Sequence, residues 1–349
     1  METHLRDLAV RQCKTAQVKV IVANSGPHRQ SSLVAGVSVT RVARFATIAS
    51  MPVCPGLLTA IRSAPADIVH IHMPNPGAAL AFLLSGHTGK LILTHHADTL
   101  GRPTLRRFSD PFVRTLMRRA SRIIVTSNRY LDSSLELLPF REKCRVIPLG
   151  IDVQSAICND HVAIERIGQR FGNRLVLAIG RLVPYKGFDI LIRAMEHVDA
   201  RLLLVGTGPQ NDALRRLIAS KNLEQKVTML GRVDDIRPFL AASSIFVLPS
   251  VTRAEAFGIV QLEAMAAGLP VINTDIDSGV PEVGVDGETA ITVPPKNPGA
   301  LSTAIQLLLR RDDLRAQLGT AARARVGSEF TTDLMAQRTM ALYEDVIDQ

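Results

Sequence analysis

Short β-branched runs alternate with longer amphipathic stretches along the whole chain. In the first half, VKVIVA (18–23), DIVHIHM (67–73), LILTHH (91–96) and RIIVTS (122–127) predict strands, and Arg145-Val-Ile-Pro-Leu-Gly150 follows them. In the second half, RLVLAIG (174–180), ARLLLVG (200–206), KVTMLG (226–231), SIFVLPS (244–250) and LPVINT (269–274) predict five more. Most are bounded by Gly, Pro or Ser, and the stretches between them carry helical periodicity. Such alternation predicts parallel sheets covered by helices on both faces, the doubly wound α/β class. The runs are continuously apolar, as strands buried on both faces require. The polar, weakly periodic segment after Gly150, up to about Phe171, marks a break between two domains. A ligand cleft is then expected where the carboxyl ends of two such sheets face each other.

Composition narrows the class. The chain has 349 residues, 46% hydrophobic and 21% charged, which suits two ordinary domains and excludes wholesale disorder. No apolar run reaches the length of a membrane span. The opening METHLRDLAVRQCK is charged where a signal peptide is apolar, so the expected compartment is the cytoplasm. Cys13, Cys54, Cys144 and Cys158 include no CxxC spacing and read as core or incidental thiols. Residues 1–150 hold 20 Lys+Arg against 8 Asp+Glu, a net +12, and the remainder holds 21 against 24, a net −3. The asymmetry predicts an anionic partner for the first half.

Two loops carry candidate chemistry. In Gly180-Arg-Leu-Val-Pro-Tyr-Lys-Gly187 a buried strand ends in glycine, two cations follow, and a helix begins near Gly187. Arg181 and Lys186 beside a helix N-terminus suit a diphosphate; solvated loop cations are the plain alternative. In Glu255-Ala-Phe-Gly-Ile-Val-Gln-Leu-Glu263, Glu255 is expected in the loop before a helix and Glu263 about two turns into it. Carboxylates there would accept hydrogen bonds from the hydroxyls of a sugar and a ribose, although for either glutamate alone a helix-surface acid is the better reading. Gly206-Thr-Gly-Pro209 is neither a P-loop nor a full dinucleotide fingerprint, and reads as a tight turn lining the cleft.

Taken together, GRLVPYKGFDILIRAM, LLLVGTGP, VTMLGRVDDIRPFLAASSIFVLPS and EAFGIVQLEAMAAGLPVI resemble family 4 glycosyltransferases in order and spacing, as do VHIHMPNP, LTHHADTL and KCRVIPLGID upstream. The resemblance implies a GT-B fold, two Rossmann-like domains facing a cleft: residues 1–160 on the acceptor side, 161–330 on the donor side, and a helix at 331–349 crossing back to the first domain. It implies metal-independent transfer of a hexose from a nucleotide-diphosphate sugar, with retained anomeric configuration, to a glycan or lipid-linked acceptor in surface polysaccharide or glycolipid synthesis. No separate cofactor is implied. Arg181 and Lys186 would hold the diphosphate, Glu263 the ribose and Glu255 the sugar. The backbone of Phe257, Gly258 and Ile259 would lie near sugar and phosphates. Gly206 would line the donor side, and Gly231-Arg232-Val233 would border the base. His96 in Thr94-His-His-Ala-Asp98 matches a histidine that faces the donor sugar; His95 receives no role.

The segment with Arg102, Arg106, Arg107, Arg114, Arg118, Arg119 and Arg122 interleaves Leu105, Phe108, Phe112, Val113 and Leu116. It reads as an amphipathic basic helix, either resting on anionic lipid at the inner face of a membrane or simply solvated. Nucleic acid is not expected, with 4% aromatics and no recognition motif. Members of the resembled family begin with a strand and a glycine-rich loop before a helix like the one here at Met1–Leu8, so a start site placed too late is expected. Two further functions compete: a non-catalytic nucleotide-sugar-binding remnant, told apart by donor turnover, and a sugar-nucleotide epimerase, told apart by epimer formation without acceptor.

Overall fold

A computed structural model describes residues 2–48, 51–98 and 103–349, with the side chains of residues 2, 3, 51 and 103–109 outside that description. The chain divides into two compact units, Met1–Pro148 with Thr332–Gln349, and Leu149–Thr331.

The first unit contains β1 (Lys19–Ala23), β2 (Gln30–Val34), β3 (Val37–Val42), β4 (Ala46–Ile48), β5 (Met51–Val53), β6 (Ile68–Met73), β7 (Lys90–His95), β8 (Arg122–Val125) and β9 (Cys144–Val146). Strands β6-β7-β8-β9 form a parallel sheet in that order. The strand expected at 18–23 forms, but β1 pairs with β3 in a separate three-stranded sheet, β1-β3-β2, whose second pair is antiparallel. The antiparallel pair is a hairpin over Ala35-Gly36, where φ is +46° and +85°. Positive φ at both central residues is the turn that matches strand twist. Its strands alternate or are exposed, so a search for continuously apolar runs passes over them. Helix Thr332–Ile347 lies in this unit beside helix Glu2–Gln12, where Arg11 Nε donates to Asp333 at 2.6 Å.

The second unit holds β10 (Leu175–Ile179), β11 (Arg201–Val205), β12 (Val227–Gly231), β13 (Ile245–Val247), β14 (Val271–Thr274) and β15 (Ala290–Val293). All pairs are parallel, in the order β12-β11-β10-β13-β14-β15. Every residue of β10, β13 and β14 is buried, which is why those runs carry no alternation. Val176, Ala178, Ile245, Val247 and Ile272 from the strands pack with Phe188, Leu191 and Ile192 of helix Phe188–Ala194 and with Leu301 and Ile305 of helix Pro298–Arg310. Each such Val, Leu, Ile or Phe side chain contributes about 1.5–3 kcal/mol by leaving water. The short strand β15 completes this sheet beyond the five runs read from the sequence. Its four residues follow a turn rather than an extended apolar run.

The strand order places a switch point between β10 and β13, because the chain leaves β10 to one side first and returns to the other. Crossovers on opposite faces diverge there and open a crevice at the carboxyl ends of the two strands.

Candidate functional site

The loops that follow β10 and β13 meet at that switch point. After Ile179 the chain runs through Gly180 and an exposed Arg181, is anchored by buried Leu182 and Val183, and turns through Pro184–Lys186. Gly187 sits at φ +66°, and a Cβ there would collide with the Pro249 carbonyl, so only glycine lets the loops approach this closely. Val251 N donates to Tyr185 O at 2.8 Å and ties them together. Gly206, at φ +142°, is packed against the Gly180 carbonyl in the same way. The Gly206 amide donates to Gly231 O at 2.7 Å, which brings the ends of β11 and β12 alongside.

This geometry joins two residues that the sequence left apart. Lys186 Nζ lies 2.5 Å from Glu255 Oε2, and the side chains are only 10% and 11% exposed. Ser250 Oγ donates to the same carboxylate oxygen at 3.1 Å. Ser250 is itself held by Thr274 Oγ1, which donates to its carbonyl. Taking two charges out of water costs several kcal/mol each, and only close pairing offsets it. Tyr185 lies beside the pair, and burial followed by the Glu255 charge pushes its hydroxyl pKa upward.

The remaining donor-side candidates line the neighbouring turns. Phe257 is buried, with its ring edge-on to Phe330 at 6.1 Å between centroids, so what it offers at the loop is backbone. Gly258 (φ +74°) precedes helix Ile259–Ala266. Glu263, in the second turn of that helix, is half-buried, and burial lifts its carboxyl from 4.5 to about 7. Gly231 ends β12; Arg232 beyond it is exposed, 3.9 Å from Asp234, and Val233 is half-buried.

The sequence reading passed over a buried polar brace behind this loop. Gln261 Nε2 donates to Phe257 O at 3.1 Å and Val280 O at 3.2 Å. Asn273 Nδ2 donates to Gly284 O at 2.9 Å and accepts from Thr292 Oγ1 at 2.7 Å. Both side chains are fully buried. The signal was present: an amide inside the apolar strand VINT and another on the inner face of an apolar helix must find partners.

In the first unit, His96 follows β7 and its amide donates to Met73 O at 3.1 Å. His96 Nε2 lies 2.9 Å from His72 Nδ1 with the rings stacked, and His4 packs edge-on against both. His70 stacks on His72 and bonds Thr94 Oγ1 at 2.6 Å and Tyr343 OH at 2.5 Å. Burial and then the neighbouring imidazoles hold His70 and His96 well below 6.5; burial takes His72 to about 3 and His4 to about 4. All four are therefore neutral near pH 7. His95 points the other way along β7. It is buried against Tyr130 OH at 3.0 Å and Glu136 at 3.4 Å, and Tyr130 donates on to Asp98 at 2.8 Å.

The expected basic face is smaller than the count of arginines. Arg119 donates to His87 O and covers the Phe82 ring, and Arg122 bonds Ser121 O and Asp345, so these two serve the first unit's own packing. Arg114 and Arg118 line a surface recess with Lys143 and Glu136. Arg102 and the side chains of Arg106 and Arg107 lie outside the described residues. Among the described residues no helix is long and apolar enough to cross a membrane.

Comparison with known proteins agrees with this layout. Residues 163–325 match the model of glycosyl transferases group 1, and residues 1–155 that of glycosyltransferase family 4. The chain is 33% identical to D-rhamnosyltransferase WbpZ of Pseudomonas aeruginosa over 77% of its own length and 71% of the relative's. It is 27% identical to O-antigen chain mannosyltransferase C of Escherichia coli, over 81% and 76%. In fold it resembles sucrose-phosphate synthase from Thermosynechococcus elongatus, with a TM-score of 0.82 at 21% identity over 99% and 93% of the two chains. It also resembles Anabaena HepE solved with UDP-glucose, with a TM-score of 0.79 at 22% identity over 99% and 95%.

Proposed function

We propose, since this chain belongs to the family 4 glycosyltransferases and has their GT-B fold, that it moves a hexose from a nucleotide-diphosphate sugar to a glycan or lipid-linked acceptor with retained configuration. The observation that carries this is the buried Lys186–Glu255 pair beside exposed Arg181 at the switch point. A buried ion pair is a weak device for stability but a strong one for positioning. An ammonium has three donors. One is committed to Glu255, and the others are assigned to the diphosphate, with the Arg181 fork alongside. Lys186 and Ser250 both address Glu255 Oε2, so Oε1 is the oxygen assigned to a sugar hydroxyl. Glu263 takes the ribose, the backbone of Phe257–Ile259 the phosphates and sugar, and Gly231–Val233 the base. His96 is assigned to the donor sugar as a neutral hydrogen-bonding group.

Breaking the bond between the anomeric carbon and the phosphate oxygen develops positive charge on the sugar and negative charge on the diphosphate. Fixed cations stabilise the second of these without reorganising, and in this scheme they take the place of a metal ion. The leaving phosphate is the base proposed for the acceptor proton. A GDP-linked donor is favoured, because one relative, from Corynebacterium glutamicum, is described as GDP-mannose-dependent and is 37% identical over 55% of this chain. An acceptor on a surface polysaccharide or glycolipid is favoured by the O-antigen and phosphatidylinositol activities named for two relatives, and we assign its site of reaction to the cytoplasmic face of a membrane. The test is to incubate the chain with GDP-mannose and a mannosylated acceptor in EDTA and read the product's anomeric proton. An α-linked product is expected. A β-linked product, or a reaction abolished by EDTA, overturns the scheme.

A further inference from the structure

We infer that His4, His72 and His96 form a binding site for one divalent transition-metal ion of the zinc type. The three come from helix Glu2–Gln12, strand β6 and the residue after β7, and one ring nitrogen from each lies within 4.8 Å of the other two. A tetrahedral zinc ion with Zn–N of about 2.0–2.1 Å needs ligand nitrogens about 3.3–3.4 Å apart. The His72–His96 separation of 2.9 Å is shorter than that, and all three nitrogens lie within 4.8 Å of one another, so ring rotations that part His72 from His96 and turn His4 inward would form the site.

Two features distinguish the cluster from a packed set of rings. His4 is 7% exposed, and its Nδ1 has no hydrogen-bond partner among the described residues. An unmet buried polar atom of this kind carries a desolvation penalty that a metal bond or a metal-oriented ring relieves. The surroundings are also braced. His70 lies against the His72 ring at 4.5 Å and is clamped by Thr94 and Tyr343, while the His96 backbone is held by Met73. Imidazole ligands orient a metal well only when an outer layer fixes them.

The donor set selects the ion. Three imidazoles with no carboxylate or thiolate suit Zn²⁺, Co²⁺ or Ni²⁺ and offer nothing to Mg²⁺ or Ca²⁺. Three protein ligands leave a fourth position for water or an anionic oxygen. Metal on His96 excludes that ring from a sugar, so Zn²⁺ should inhibit transfer. Only this consequence rests on the role proposed for His96; metal binding itself does not.

The test is a titration of the metal-free full chain with Co²⁺ followed by visible absorption, then displacement by Zn²⁺. One equivalent with the intense d–d band of a four-coordinate complex is expected, lost on adding Zn²⁺ and untouched by Mg²⁺. His4→Gln and His72→Gln should each weaken binding by more than about tenfold, the lower end of what outer-layer losses cost. His161→Gln, an exposed histidine elsewhere, should leave it unchanged. Absence of the band in the unaltered chain, or binding retained by both variants, overturns the site. The first of these readouts does not depend on any variant folding.

Discussion

Lys186 and Glu255 stand 69 positions apart in sequence and 2.5 Å apart in space, each about nine-tenths buried. Removing one partner leaves the other charge in a poorly solvated place. Lys186→Ala is expected to cost about 3–5 kcal/mol of folding stability as well as donor binding. The double variant Lys186→Met/Glu255→Gln should recover most of that stability but none of the transfer. Urea unfolding measured beside a transfer assay separates the two effects.

Arg181 makes the complementary case. It is exposed, so Arg181→Ala should change stability by no more than about 0.5 kcal/mol. Its loss should still lower kcat/KM by about 10²–10³, the scale for removing one group that stabilises developing negative charge. Steady-state kinetics on a variant of unchanged melting temperature reads this directly.

Glu263 should give the protein a pH signature. Burial raises its folded-state pKa to about 7 from 4.5. The folded chain therefore holds a proton that the unfolded chain releases, and the associated stability is complete below about pH 4.5 and lost as pH rises through 7. Glu263→Gln should match the parent near pH 4 and exceed it at pH 8, by at most about 3 kcal/mol. Ribose hydroxyls donate to the ionised form, so donor affinity of the parent should rise from pH 6 to 8, and the variant should lack that slope. Thermal melts and calorimetric titrations across this range check both signs.

Asn273 tests the brace behind the donor loop. Asn273→Ala leaves Gly284 O and Thr292 Oγ1 without their partner, at a cost of about 1–3 kcal/mol. Gln261, whose Nε2 ties Phe257, loses the Asn273 amide that donates to its Oε1 at 3.4 Å and is less firmly held, so donor affinity should fall although Asn273 lies behind the loop. Hydrogen exchange of that loop, compared with the parent, is the measurement.

The second unit was legible because its chemistry is local. Strand, glycine, cation loop and helix follow one another within Leu175–Ala194, and the buried strands stand out as short, continuously apolar runs. What no spacing rule could supply was pairing across the sheet. Lys186 and Glu255 meet because β10 and β13 are neighbours, and sequence distance carries no trace of that adjacency. The first unit was less legible. The β2–β3 hairpin turns on Ala35-Gly36, of which only the glycine announces a positive φ. His4 is far in sequence from His70, His72 and His96, and nothing in the spacing tells that its ring packs against those of His72 and His96.

The proposed chemistry depends above all on Arg181 and Lys186 holding the donor's diphosphate. The most direct measurement is the melting temperature of the parent and of Arg181→Ala/Lys186→Met with guanosine, GDP and GDP-mannose. Ligand at 100 times its Kd adds about 2.7 kcal/mol of stability by mass action. A clear rise is expected with GDP and GDP-mannose, little with guanosine, and none in the double variant. A rise with guanosine equal to that with GDP, or one that persists in the double variant, would contradict it.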